Sequence, residues 1–115
     1  MPRSEELQAR LAQLKQAYVE SLSGRAATLR QLWHSLRLAW DPATARQLQT
    51  LAHQLAGSGG SFGFADITEQ ARDLEHRLAT CGDPAQMPSA PDLEALEAAL
   101  ESLCRTLLRH APAGD

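Results

Sequence analysis

Leucine recurs along this chain at steps of three and four, the interval at which side chains share one face of an α-helix. Leu7, Leu11, Leu14 and Tyr18 predict one buried stripe in a helix over about 4–21. Ser23-Gly24 interrupts it, and Leu22, Ala26, Leu29, Trp33, Leu36 and Trp40 line a second face. Asp41-Pro42 closes that helix and opens the next, with aspartate as N-cap and proline in the first turn. The third segment places Thr44, Leu48, Leu51 and Leu55 on one face and loses regularity in Gly57-Ser58-Gly59-Gly60. A fourth begins near Phe64 or Asp66 and reaches about Thr80, with Ile67, Ala71, Leu74 and Leu78 inward. The stretch from Cys81 to Pro88 is rich in helix breakers. Ser89 and Asp92 resemble a capping box for a last helix carrying Leu93, Leu96, Leu100, Leu103 and Leu107. No segment alternates as a strand does. The expected fold is all-α: an antiparallel up-down four-helix bundle over about 22–110, with an additional N-terminal helix laid across or alongside it.

Composition narrows the class of molecule. At 115 residues the chain fits one domain, 1–115, with a single modest core. Aromatic residues make up only 4%, and the abundance of Leu and Ala favours helices over strands. The charge is mixed, 11 basic against 14 acidic residues, which argues against nucleic acid as the ligand because a phosphate backbone calls for a clustered basic face. No apolar run approaches the ~20 residues needed to cross a bilayer, and the N-terminus has no secretory apolar region. These features predict a soluble cytoplasmic domain with no membrane or nucleic-acid partner. Cys104 falls near a leucine stripe and reads as a small core residue, Cys81 falls in a loop, and a disulfide is not expected.

Against this background His53 is distinctive. At about 100° per residue it lies roughly 180° from the face of Thr44, Leu48, Leu51 and Leu55, so its imidazole is expected to face water. Gly57 and Gly60 fall one and two turns further along the same outward side. Glycine costs a helix about 1 kcal/mol relative to alanine, so this pair reads as space cleared for an approaching partner. The chain has no HExxH, no CxxC and no paired histidines at helical spacing, and no metal site is expected. Gly57-Ser58-Gly59-Gly60 lacks the lysine and preceding strand of a phosphate-binding loop, and there is no Gly-x-Ser-x-Gly elbow. An exposed imidazole is nonetheless a competent nucleophile, since it is largely neutral near pH 7 and presents a free ring nitrogen.

The pattern His53-x-Leu55-x-Gly57-Ser58, with Gly63 ten residues after the histidine and then Ile67, Ala71 and Leu74-Glu75, resembles the histidine phosphotransfer (Hpt) domain of bacterial two-component phosphorelays. The run from Leu55 to Phe64 is similar to variants that precede receiver and diguanylate cyclase domains. The resemblance implies a phosphocarrier without kinase activity or cofactor of its own, in which His53 accepts a phosphoryl group from a receiver-domain aspartyl phosphate and passes it to another receiver. The receiver, on a response regulator or hybrid histidine kinase, would supply Mg²⁺ and the aspartate. Arg46, Gln49, Thr50, Ala56, Gly57 and Gly60 are then the expected docking face. Gly63 would let the two central helices pack tightly, with Leu74 and Glu75 completing the motif. The carrier is expected to be monomeric.

One position departs from the family. A lysine commonly stands three residues after the histidine, where this chain has Ala56, and the only lysine is Lys15. Arg46 lies about 20° around the helix from His53 but roughly 10 Å along its axis. The competing readings are a docking or dimerisation bundle in which His53 is incidental, and a small enzyme with His53 as general base, which lacks a second polar group in helical register. His34, His76 and His110 have no comparable cleared face and read as histidines without a role.

Overall fold

The computed structural model describes residues 2–113. Four helices follow one another: α1 (Pro2–Leu38), α2 (Pro42–Ser61), α3 (Ala65–Thr80) and α4 (Ala90–His110), with no strand among the described residues. Short connections make neighbours antiparallel, and α1 packs on α2, α2 on α3, α3 on α4 and α4 on α1, which closes the bundle. Its core joins Leu22, Leu29 and Leu36 of α1 to Leu48 and Leu55 of α2, Ile67 and Leu74 of α3, and Leu96, Leu100, Leu103 and Leu107 of α4, all essentially inaccessible to water. Cys104 is buried among them, and both cysteines are free thiols. No described helix is long and apolar enough to cross a membrane.

Two expectations for the N-terminal third are overturned. Five helices were expected; there are four, because α1 runs through Ser23-Gly24 without a break and the additional N-terminal helix is no separate element. Gly24 is exposed, with nothing within 4 Å of where a Cβ would stand, so it costs only the roughly 1 kcal/mol of a glycine in a helix. Leu22, Ala26 and Leu29, buried on either side of it, hold the turn in place. The stripe of Leu7, Leu11 and Leu14 is not buried: these residues are 59%, 54% and 48% exposed. A helix of 37 residues is about 55 Å long at 1.5 Å per residue, close to the 57 Å longest dimension of the molecule. The other helices are 16–21 residues long and leave its first turns without a neighbour. Tyr18 is where α1 enters the core. Its hydroxyl is hydrogen-bonded to Ser58 Oγ at 2.9 Å and its ring stacks on Phe62, with centroids 4.6 Å apart.

Helix termini follow the expected chemistry. Asp41 caps α2, its carboxylate accepting from the backbone N–H and the hydroxyl of Thr44 at 2.9 and 2.8 Å. These hydrogen bonds hold its carboxyl below the usual carboxylate range. Ser89 caps α4 through the N–H of Asp92. The end of α2 is closed by two hydrogen bonds, Phe64 N–H to Gly59 O at 2.7 Å and Gly63 N–H to Gly60 O at 3.2 Å, with Gly63 at φ +86°. This is a Schellman motif, and its left-handed residue is the position where glycine avoids a Cβ clash.

Candidate functional site

Small residues decide how α2 sits in the bundle. Ala45, Leu48, Ala52, Leu55, Ala56 and Gly59 are its buried positions. Their mean direction is about 60° around the helix from the face that the leucines and Thr44 alone mark out. The alanines and Gly59 pack toward α3, while Thr44 and Leu51 are only half-buried. His53 therefore lies about 110° from the core direction rather than opposite it, on the flank of α2 next to α3. Its side chain is 74% exposed, as expected.

That rotation brings His53 to Glu75. Nδ1 of the imidazole and Oε2 of the carboxylate are 2.6 Å apart, a short charge-assisted hydrogen bond. With Nδ1 donating to the carboxylate, Nε2 carries the free lone pair and points away from the backbone into solvent. Leu74, buried beside it, anchors this turn of α3 and so sets the reach of Glu75. Read from sequence, Glu75 only completed the motif with Leu74; its hydrogen bond to His53 was not foreseen. Nothing in one helix's pattern indicates which carboxylate of another will lie across from a given imidazole.

The closeness of α2 and α3 depends on Gly59. A Cβ there would stand 2.9 Å from Thr68 Oγ1 and 3.0 and 3.1 Å from Ile67 side-chain carbons. The Thr68 hydroxyl is itself engaged, donating to the Ala56 carbonyl at 2.7 Å between the helices. The tight-packing role expected of Gly63 thus falls to Gly59: a Cβ on Gly63 would meet nothing within 4 Å, and what Gly63 supplies is its positive φ. Gly59→Ala is expected to destabilise the fold by about 1–3 kcal/mol, the usual cost of forcing an extra methyl into a packed interface. Denaturant unfolding checks this, and an unchanged midpoint would show that α3 yields without cost.

The other expected docking residues divide. Arg46, Gln49 and Thr50 line one shallow surface depression together with His53 and Glu75. Gly57 and Gly60 are exposed; a Cβ on Gly57 would meet nothing within 4 Å, and one on Gly60 only Thr68 Oγ1 at 3.4 Å. Ala56 is a correction. It is 6% exposed and packs toward α3, so its side chain offers a partner no surface. The sequence reading placed it on the open face because that face was drawn opposite the leucines, without the contribution of the alanines. Arg46 and Thr50 also border a groove between α1 and α2 that includes Leu32 and Leu51, of which the leucine periodicity had placed Leu51 on the buried face. Lys15 lies instead over the ring of Phe64, 5.2 Å from its centroid. Of the remaining histidines, His34 and His76 are exposed. His110 holds Asp66 through Nε2 at 2.8 Å. Among the described residues no three His, Cys, Asp or Glu side chains gather as a metal site would require.

This arrangement, one exposed imidazole with an oriented ring and an unobstructed approach, can present a nucleophile to another macromolecule but encloses no small substrate. No curated protein and no solved structure matches the chain. The family model described as the Hpt domain matches residues 4–106, which takes in nearly all of α1, the whole of α2 and α3 and most of α4. The chain therefore belongs to the Hpt domain family, whose members carry out histidine phosphotransfer in two-component phosphorelays without kinase activity of their own.

Proposed function

We propose that His53 is the phosphoacceptor of this domain, taking a phosphoryl group from the aspartyl phosphate of a receiver and passing it on to a second receiver. The observation that carries the reading is the hydrogen bond between His53 Nδ1 and Glu75 on an otherwise open helix face. In the transfer step, the Nε2 lone pair attacks phosphorus, an N–P bond forms, the P–O bond to the receiver's aspartate breaks, and the aspartate leaves as a carboxylate. The proton stays on Nδ1. The ring acquires positive charge as the N–P bond forms, and the Glu75 carboxylate 2.6 Å away offsets it where it develops. Return transfer reverses each step, so one arrangement serves acceptance and delivery.

Docking uses the surface around the imidazole. Gly57 and Gly60 leave room for the receiver's acidic pocket, and Arg46, Gln49 and Thr50 offer polar contacts on the N-terminal side. Arg46 is the cation bordering the same depression, in a chain that lacks the family's lysine. Mg²⁺ and the reacting aspartate come with the receiver.

Incubation of the chain with a phosphorylated receiver tests the reading, the expected product being an acid-labile, base-stable phosphoryl group on this protein. Glu75→Ala bears on the mechanism. It is expected to slow transfer about ten- to hundred-fold, the scale on which a histidine loses function with the partner that orients it. Glu75 is half-buried at the surface, so little loss of stability accompanies the change. Wild-type rates in a folded Glu75→Ala protein would remove the carboxylate from the mechanism.

A further inference from the structure

A side chain on an α-helix leaves its Cα tilted toward the helix N-terminus, so it covers the surface over the preceding turn. For His53 that turn carries Gln49 and Thr50, about 40° to one side of it and 60° to the other, and the turn before carries Arg46, about 20° away. The depression beside the imidazole has the same bias. Its residues on α2 are Arg46, Gln49, Thr50 and His53 itself, with Glu75 closing it from α3, so it extends toward the start of α2 and away from Gly57. Arg46 and Thr50 are exposed and Gln49 is half-buried. The ion pairs among the described residues are those of Arg30, His53, Arg77, Arg109 and His110, which leaves Arg46 uncommitted. Arg46 acts on Asp41 through space, but the Asp41 carboxylate is hydrogen-bonded to Thr44.

We infer that Arg46, Gln49 and Thr50 cradle the phosphoryl group while it is on His53, which rests on His53 being the phosphoacceptor. Charge calls for such a cradle. Glu75 answers the positive charge of the imidazole ring from the Nδ1 side, so the phosphoryl group, with up to about two negative charges, has to be met by another group. Arg46 supplies a guanidinium, Gln49 an amide N–H and Thr50 a hydroxyl, donors enough for all the phosphoryl oxygens. The roughly 10 Å of helix axis between His53 and Arg46 is crossed from both ends, because the imidazole and its phosphoryl group lean toward Arg46 and the arginine side chain is long and unpaired. Arg72, the cation one turn from Glu75 on α3, stands on the other side. Glu75 lies opposite His53 and Thr68 opposite Ala56, which places Arg72 toward Gly57. Arg46, Gln49 and Thr50 thus act on the phosphoryl group itself, with or without a receiver in place.

Labelling of the full chain with phosphoramidate tests this without a receiver. Nε2 forms its bond to phosphorus as the bond to ammonia breaks, and phosphorus and proton NMR follow each imidazole separately. His53 is expected to be labelled ahead of the exposed His76, which serves as the internal standard. Arg46→Gln is expected to slow labelling of His53 about two- to five-fold, the scale of an exposed ion pair, and to leave His76 unaffected. Arg46→Lys, which keeps the charge, should recover most of the rate, and about 1 M salt should shrink the difference. Thr50→Val should slow labelling of His53 about two-fold. Labelling should also displace the Arg46 Nε–H resonance in the parent chain and leave it in place in His53→Gln. Unchanged labelling of His53 in folded Arg46→Gln overturns the proposal, as does an Arg46 resonance that labelling of His53 does not move, or a His53 labelled no faster than His76. A loss with Arg72→Gln as large as that with Arg46→Gln puts the phosphoryl group on the Gly57 side and overturns it too. These rates involve no receiver, so failure of a phosphorylated receiver to label the chain would count against the function proposed above and leave them as they are.

Discussion

His53→Gln is expected to take no phosphoryl label from a phosphorylated receiver while unfolding at the same temperature as the parent chain. The imidazole is 74% exposed and belongs to no core cluster, so its removal opens no cavity. The glutamine amide can still donate a hydrogen bond to Glu75, which keeps the α2–α3 flank satisfied. What is lost is the ring nitrogen proposed to form the bond to phosphorus. The other histidines supply the controls. His34 and His76 are exposed, and His110 is tied through Nε2 to Asp66 and packed against Phe64, 4.7 Å between ring centroids. His76→Gln should accept label at the parent rate. Acid-labile, base-stable label on folded His53→Gln protein would assign the chemistry to another residue.

Gly57→Phe is expected to block transfer without weakening the fold. Nothing lies within 4 Å of a Cβ at this position, and replacing an exposed helical glycine gains up to about 0.5 kcal/mol in propensity for phenylalanine. The ring would stand one turn from His53, in the path of an approaching receiver. Transfer needs the aspartyl phosphate in line with Nε2, and a displacement of about 1 Å can cost on the order of 100-fold in rate. A loss of this size should appear as slower transfer with unchanged circular dichroism. Parent rates in the folded variant would place the docking surface elsewhere, with the groove of Leu32 and Leu51 between α1 and α2 as the alternative approach. Gly57→Phe and Gly59→Ala thus separate two glycines only two residues apart: one is expected to lose transfer and keep stability, the other to lose stability.

One contribution to the pH response of the bundle arises at the start of α3. Burial raises the tendency of Asp66 to hold its proton, but hydrogen bonds from His110 and Arg109 outweigh it and leave the carboxyl below the usual range. A depressed folded pKa contributes stability above the unfolded carboxylate range, and this is lost as pH falls through the folded value. Asp66 is partly exposed, so solvent screening keeps the contribution modest.

The leucine spacing, the Asp41-Pro42 and Ser89 caps and the Cys81–Pro88 loop made the start of α2, the bounds of α3 and the start of α4 legible to within a residue or two, because these are local effects recorded in neighbouring positions; the end of α2 was misread, since the helix runs on through Gly57-Ser58-Gly59-Gly60 to Ser61 instead of losing regularity there. The exposure of His53 was legible as well, through its position away from the leucine face. The N-terminal region was misread because periodicity reports that a helix has an apolar face, not whether anything covers it. The break at Gly24 was misread because an exposed glycine weakens a helix by only about 1 kcal/mol, which burial of its neighbours overrides.

By itself, then, the sequence determined the helical class, most helix boundaries and the candidate nucleophile, since each depends on backbone propensity, capping or spacing within one segment. Only the tertiary structure decided that Gly59 rather than Gly63 admits the close approach of α3, that Ala56 is covered, and that Glu75 holds the His53 ring. Those outcomes depend on how far one helix is rotated against another. The rotation is set by the summed packing of Ala45, Ala52, Ala56 and Gly59, small residues that look alike to a local pattern and become core only when a second helix comes close enough to touch them.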